Sequence, residues 1–144
     1  MPGGAPRAPR PVPEAAVRDR LANWEEMPMQ KTVILTLTSV AAAAVAANRF
    51  VDFDGSQCDA AGAKPMGVSA YAADAAGAAF AVDVIGTTRV VTGAAIPLGA
   101  KGLTPLKTDA TGAAIPHGGD GEIAGYALQP AAAAGAVIEI LLAL

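Results

Sequence analysis

The residues that could carry catalytic chemistry are few and widely separated in this chain. His117 is the only histidine, and in the stretch HGGDG only Asp120 lies close to it. A general base needs a nucleophile or a second acid–base group within hydrogen-bond reach, and here any nucleophile would have to come from elsewhere in the chain. We therefore expect His117 to lie in a solvated loop and not in a catalytic site.

The acidic residues form two groups that could bind a metal or transfer protons. Asp52, Asp54 and Asp59 lie in DFDGSQCD, whose composition is that of a calcium loop, but the glycine comes too early and no glutamate closes the motif. This stretch predicts a surface turn. Asp83 and Glu139 each lie within an apolar strand pattern and could in principle form an acid pair. We favour positions on the solvent-facing or subunit-facing sides of their strands.

Two further motifs are weak as functional signals. The stretch GAAIPLGAKG lacks the spacing of a phosphate-binding loop, in which a lysine and a serine or threonine follow the last glycine. Cys58 is the only cysteine, which excludes an internal disulfide and a thiolate zinc cluster and fits synthesis inside a cell. We expect it to be a small, partly buried apolar residue. The sequence thus predicts no catalytic residue, no cofactor and no metal site.

Composition predicts one domain with a thin core. The chain has 144 residues and is 53% hydrophobic, but alanine dominates that fraction, and there are only three Phe, two Tyr and one Trp. Small side chains bury little apolar area, at roughly 25 cal/mol per Å². Oligomerisation or docking on a larger surface would supply the burial that the isolated chain lacks.

Charge and hydropathy argue against nucleic acid or a membrane as a partner. The formal charge is −3 and the pI is near 5.0, which gives no basic field for phosphates. The closing AAAAGAVIEILLAL is shorter than the roughly 20 residues of a membrane span. The first residues contain proline and arginine where a secretory signal has an apolar core, so we expect no export by that route.

The chain divides near Pro28 into an N-terminal arm (1–28) and a β domain (29–144). Five prolines favour an extended start to the arm, which also carries Arg7 and Arg10. The stretch PEAAVRDRLANWEE predicts a short α-helix with an apolar stripe of Val17, Leu21 and Trp24. A helix this short is marginal alone, so the stripe packs either on its own core or on a neighbouring subunit, and we favour the second.

The sequence pattern of the β domain predicts an all-β sandwich or small β-barrel of short strands. KTVILTLT and AAFAVDVIG alternate with a period of two, and turn residues separate the remaining candidates. Alanine-rich 39–48 could be a helix, but we favour an extended or irregular connection. Pro105 predicts an edge or a bulge. The other candidate strands are RFVDF (49–53), PMGVSAY (65–71), TTRVV (87–91), GLTPLKT (102–108), EIAGYAL (122–128) and AVIEILL (136–142).

An octet occurs twice, as TGAAIPLG (92–99) and TGAAIPHG (111–118). A reaction centre needs one constellation of residues, whereas successive strands need the same kind of corner repeatedly. We therefore predict two equivalent corners in which Ile96 and Ile115 point inward and the following proline and glycine turn the chain.

From about residue 30 to 144, the chain resembles the capsid cement, or head decoration, proteins of tailed bacteriophages. The resemblance rests on the order of many short elements: LTLT, then NRFVDFDG (48–55), the passage from 66 to 102, and the closing GEIAGYALQPAAAAGAVIEILLAL. The first 28 residues depart from the family pattern, because a typical member starts close to the first strand. The family's small motifs appear here as Gly67-Val68, Val82 to Gly86, Gly93 to Ile96, and Gly125 to Leu128.

The resemblance implies a non-enzymatic virion protein that binds the outer surface of an icosahedral phage head and stabilises its major capsid lattice. It implies the major capsid protein as partner, a homotrimer near threefold or quasi-threefold positions, and synthesis in the host cytoplasm. Two other classes stay open: a phage fibre or host-recognition β module, and a small hydrolase or sugar-binding domain. On the arm, we expect the partner-binding residues to be Arg7, Arg10, Val17, Leu21 and Trp24.

Overall fold

The computed structural model describes residues 31–143, which fold into one eight-stranded antiparallel sheet that forms a nearly closed barrel. This confirms the predicted all-β class, while the predicted arm and its helix lie outside the described residues. The path through the sheet is β2-β3-β4-β8-β7-β5-β6, and β1 pairs with β4. The strands are β1 (Val33–Val40), β2 (Phe50–Val51), β3 (Gly67–Ser69), β4 (Ala79–Val91), β5 (Pro105–Thr108), β6 (Ala114–Pro116), β7 (Gly125–Ala127) and β8 (Val137–Leu142).

Strand β4 organises the barrel because it pairs with three other strands. Its first half pairs with β1 and β3, and its second half, Thr87 to Val91, pairs with β8. The sequence predicted two strands here, AAFAVDVIG and TTRVV, and that prediction is wrong. Gly86 was expected to end the first strand, but it adopts a positive φ of 113° inside a continuous strand of 13 residues.

Except for β6, which lies where the sequence predicted a corner, the remaining strands confirm the strand predictions, and most are shorter than predicted. The segment 39–48 contains no helix: β1 extends to Val40, and the rest is irregular, with Val45 forming an isolated bridge to Ala73. Pro105 is neither at an edge nor in a bulge, because β5 lies between β6 and β7. It is the first residue of its strand, which is another position that proline tolerates in a sheet.

The core consists of two clusters, and several of its members are alanines, as the composition predicted. The larger cluster fills the barrel and centres on Phe50, Ile96, Leu106 and Ile140, all fully buried. The smaller cluster includes Phe80 and packs under the irregular segment and the first half of β4. The alanines of the larger cluster are Ala114, Ala124, Ala127 and Ala131.

The two copies of the octet lie side by side but do not form equivalent corners. Thr92 of the first copy forms a parallel bridge with Ala114 of the second, and the Gly93 N–H donates to the Ala114 carbonyl at 2.8 Å. Ile96 is fully buried, whereas Ile115 is half-buried on edge strand β6. The prediction of equivalence fails because β5 precedes the second copy closely and draws it into a hairpin.

Asp109 explains that hairpin. Its Oδ1 accepts the backbone N–H groups of Thr111 at 2.7 Å and Ala113 at 3.0 Å, which closes the turn between β5 and β6. Short aspartate side chains stabilise turns in this way. No such residue stands before the first copy, which continues directly from β4.

Candidate functional site

The predicted partner-binding residues Arg7, Arg10, Val17, Leu21 and Trp24 lie outside the described residues 31–143. They therefore remain predictions. The described part does include the point where the arm joins the barrel, at Lys31 and Thr32 immediately before β1. This junction and the surface of β1 are the features closest to the predicted site.

A buried carboxylate fixes the junction. The Lys31 Nζ lies 2.6 Å from Asp83 Oδ2 on β4. Asp83 also accepts hydrogen bonds from Thr88 Oγ1 at 2.8 Å and from Thr36 Oγ1 at 3.2 Å. A charge this deeply buried requires a partner and hydrogen bonds, and Lys31 supplies the opposite charge. The arm consequently leaves the barrel from a defined position.

The burial of Asp83 corrects the expectation that it faces solvent or another subunit: it is 1% exposed. The period-two argument assumed that one face of β4 is open. In the structure, Val82 belongs to the smaller core cluster and Asp83 lies opposite Val68 of the larger one, so both faces are covered. Asp83 and Glu139 form no acid pair, since Glu139 lies on β8 opposite Arg89.

Backbone contacts fix the next residue of the junction. The Thr32 N–H donates to Thr87 Oγ1 at 2.9 Å, and the Thr87 N–H donates to the Thr32 carbonyl at 2.8 Å. Gly86 lies so close that a Cβ atom there would overlap the Thr32 carbonyl oxygen. Close backbone approach is a role for glycine, and here it lets β1 start against β4.

Strand β1 exposes an uncharged apolar surface. Its sequence is VILTLTSV, and its large side chains are 75% exposed at Ile34, 41% at Leu35, 42% at Leu37 and 60% at Val40. Within residues 31–143 it pairs only with β4, so its other edge is open. Natural edge strands usually carry a charge or a proline against unwanted pairing, and β1 has neither. This surface is therefore suited to a partner.

The other candidate residues make local hydrogen bonds that stabilise turns. His117 lies in a surface loop as expected: its Nδ1 accepts the Gly119 N–H at 3.2 Å, and its Nε2 is 2.6 Å from the Gly121 carbonyl oxygen. Asp54 accepts the Ser56 hydroxyl at 2.6 Å and the Ser56 N–H at 3.0 Å. These bonds lower the pKa of Asp54. DFDGSQCD is thus a turn, as predicted.

Cys58 is 1% exposed, more completely buried than the partly buried position that the sequence predicted. Burial raises the pKa of its thiol, and the hydrogen bond from Sγ to Asp52 Oδ1 at 3.1 Å raises it further. A thiol held in its protonated form is a poor nucleophile. Its position within the larger core cluster gives it a packing role.

Residues 31–143 show neither a metal-binding cluster nor a helix suited to crossing a membrane. In that range, no group of three or more His, Cys, Asp and Glu residues is arranged to hold a metal ion. No helix there is long and apolar enough to cross a membrane. What the described residues do present is an exposed apolar surface on β1, next to the arm junction that Lys31 and Thr32 attach to β4.

Sequence reasoning identified β1 as a strand but missed its exposure. It placed Val33, Leu35 and Leu37 on one face and Ile34, Thr36 and Thr38 on the other, and assigned neither face to the core or to solvent. The available signal was the absence of charge: an eight-residue strand without Lys, Arg, Asp or Glu either lies inside the protein or binds a partner.

Comparison with known proteins identifies the family. The profile of the phage cement protein family matches residues 29–142, almost the whole β domain. The chain therefore belongs to the phage cement protein family, which makes it a structural protein of a phage head. The resemblance seen in the sequence is thereby confirmed. The search among curated proteins finds no match.

A solved structure supports the fold. The chain is similar to the N base of head fiber gp8.5 in bacteriophage phi29, with a TM-score of 0.57 and 23% sequence identity. The similarity covers 76% of this chain and 93% of the phi29 chain. At this identity it shows the barrel fold that the two proteins share.

Proposed function

We propose that this protein binds the outer surface of an assembled icosahedral phage head and cements its major capsid lattice. The observation that carries the proposal is the family match, which covers the barrel from end to end. The thin core and the exposed apolar surface of β1 support it, because both favour a protein that works in contact with a larger surface. No step of this role requires a catalytic residue or a cofactor.

Stabilisation by such a protein follows from linkage. A ligand that binds the assembled shell, but not free capsid subunits, shifts the equilibrium towards the shell. Each bound copy contributes to this shift, and the symmetry of the head provides equivalent sites for many copies. We propose that the protein acts as a homotrimer at threefold or quasi-threefold positions, where one trimer contacts several capsid subunits.

The arm is the proposed source of specific capsid contacts. The family match begins at residue 29, so the arm is an addition to the shared domain, and the Lys31–Asp83 ion pair fixes where it starts. Arg7 and Arg10 would pair with carboxylates of the capsid protein, since guanidinium groups suit such contacts. Val17, Leu21 and Trp24 would bury their apolar stripe against the major capsid protein.

The first test is co-sedimentation of the purified protein with expanded heads of its phage that lack it. We expect saturable binding at a fixed ratio to the major capsid protein, and light scattering of the unbound protein should give the mass of a trimer. Absence of binding to mature heads would overturn the cement proposal. A monomeric mass at all working concentrations would contradict the proposal that the trimer forms before the protein binds the head.

Deletion of residues 1–28 tests the arm separately. The barrel should remain folded by circular dichroism, while binding to heads weakens. Arg7→Ala with Arg10→Ala tests the charged contacts, and Arg89→Ala with Lys101→Ala, at two exposed positions of the barrel, removes the same charge as a control. If deletion leaves the binding curve unchanged, the arm does not contact the capsid.

The structural comparison favours one alternative, the base of a head fibre. The phi29 protein whose fold this chain shares is described as a head fiber base. Heating of heads with and without the protein separates the two functions: a cement protein raises the temperature at which packaged DNA is released. A fibre base leaves that temperature unchanged and instead adds a projecting structure visible by electron microscopy.

A further inference from the structure

The exposed surface of β1 lacks a covering partner within residues 31–143. Leu35 and Leu37 lie on one face of the strand, and Leu37 is opposite the fully buried Val82 of the smaller core cluster. Leu35 and Leu37 are 41% and 42% exposed, so no described segment covers this face of β1. An uncharged apolar face of this kind is normally covered by another segment or another protein.

The arm begins directly beside this face. Lys31 is held by Asp83, and Thr32 is held by Thr87, so the chain before residue 31 starts at the Val33 end of β1. A segment that folds back from this point along the Val82 side of β1 passes over Leu35 and Leu37. The location of the junction is thus the first reason to choose the arm as the covering segment.

Length and chemistry provide two further reasons. The predicted helix over 13–26 would be about 21 Å long at 1.5 Å per residue, close to the roughly 26 Å of β1 at 3.3 Å per residue. The four residues 27–30 can span up to about 14 Å, which is enough to reverse direction. The stripe of Val17, Leu21 and Trp24 is apolar, like the face that it would cover.

We propose that, in the protein free of capsid, the helix of the arm folds back on its own chain and packs its Val17, Leu21 and Trp24 stripe on Leu35 and Leu37 of β1. Trp24, nearest the junction, lies over the Leu35 end, and Val17 lies towards Val40. The β1 face is then a docking site for the arm.

This docking has a consequence that rests on the proposed function. The same stripe is proposed to contact the capsid, so it must leave β1 before it binds there. A fraction of molecules with the stripe released is the binding-competent population, and the apparent affinity for heads scales with that fraction. Weaker docking on β1 should therefore give tighter binding to heads.

The test uses the full chain and its single tryptophan, Trp24. In the wild type we expect short-wavelength emission and weak quenching by acrylamide. In the double variant Leu35→Thr with Leu37→Thr, the emission should move to longer wavelength and quenching should increase several-fold. Threonine suits an exposed strand, and circular dichroism verifies that the barrel remains folded. The control is Leu98→Thr with Leu103→Thr, exposed leucines outside β1, which should leave Trp24 unchanged.

Four results would overturn the proposal. Trp24 could already be fully quenchable in the wild type, or the β1 variant could leave its emission unchanged. Emission that moves to longer wavelength on dilution, together with a falling mass, would place the stripe on a second copy. A β1 variant with a lower mass and unchanged Trp24 emission would show that a second copy covers β1 instead.

Binding to heads keeps this proposal separable from the proposed function. If the β1 variant shifts and exposes Trp24 as expected, but neither the wild type nor the variant binds heads, the cement proposal fails while the docking proposal stands. If wild type and β1 variant bind heads equally and Trp24 is exposed in both, docking fails while the cement proposal stands. We expect the β1 variant to bind heads several-fold more tightly than the wild type.

Discussion

Strands β1 and β8 are both apolar and both pair with β4, yet their surroundings are opposite. β8, with the sequence VIEILL, contains a charged residue, but its Ile138 and Ile140 are buried. β1, with the sequence VILTLTSV, contains no charge, but most of it is exposed. The difference lies in their neighbours: β8 lies between β4 and β7, while β1 pairs with β4 alone in the described residues. Burial is thus decided by topology and not by the apolar content of a strand.

The largest expected effect comes from the buried strand. Ile140→Ala should lower the free energy of unfolding by about 2–5 kcal/mol, because it removes a fully buried side chain and leaves a cavity. Leu37→Ala on β1 should cost less, about 1–2 kcal/mol, since the barrel leaves that side chain 42% exposed and only the proposed arm helix would cover the rest. Urea denaturation of both variants measures the difference. Equal losses would mean that β1 is as buried as β8 in solution.

The next effect concerns how β1 attaches to β4. Gly86→Ala should cost about 2–3 kcal/mol, because the residue has a positive φ and its new Cβ would overlap the Thr32 carbonyl. Gly77→Ala is a matched control: it also has a positive φ, but no atom lies within 4 Å of the added carbon. We expect about 1 kcal/mol there, from backbone strain alone.

The measurement for this pair is thermal unfolding together with amide hydrogen exchange of β1. Gly86→Ala should increase exchange at the start of β1, where Thr32 and Thr87 are hydrogen-bonded. If both glycine variants lose the same stability and β1 exchange is unchanged, the close approach at Gly86 contributes nothing.

A smaller effect is expected at the ion pair of the junction. Lys31→Met should cost about 1–3 kcal/mol, because it leaves the buried Asp83 carboxylate without an opposite charge; the partial exposure of Lys31 and the two threonine donors reduce the loss. Lys107→Met on β5 is the control for loss of a lysine. Asp83→Asn in the Lys31→Met background should recover part of the stability, and a double-mutant cycle from urea titrations gives the coupling energy. A coupling near zero would contradict the ion pair.

Local rules predicted most of this fold. Alternating apolar residues identified β1 and the first half of β4, the apolar closing segment identified β8, and glycine, proline and aspartate identified the turns between strands. The errors came from long-range pairing. Gly86 was taken as a strand end because a single glycine cannot show that two neighbouring strands continue past it. Asp83 was placed at a surface because its burial depends on Lys31, 52 positions earlier in the printed sequence.

The candidate site was only partly predictable for the same reason. The family resemblance was carried by many short elements in order, and it identified the class of protein correctly. The repeated octets looked equivalent because their letters agree, but the Asp109 turn and β5 precede only the second copy. The open edge of β1 is a property of the sheet order, which no local pattern contains.

The smallest expected effect is at the most exposed residue of β1. Ile34→Thr should change the free energy of unfolding by less than about 0.5 kcal/mol, because the side chain is 75% exposed and threonine retains the preference for strand. Ile138→Thr on β8 makes the same change where the side chain is buried, and it should cost several times more because a hydroxyl enters the core. Urea titrations of the two variants, made side by side, compare one substitution in two environments. A large loss for Ile34→Thr would show that β1 is covered in the free protein at this position as well, and would extend the docking surface to its first residues.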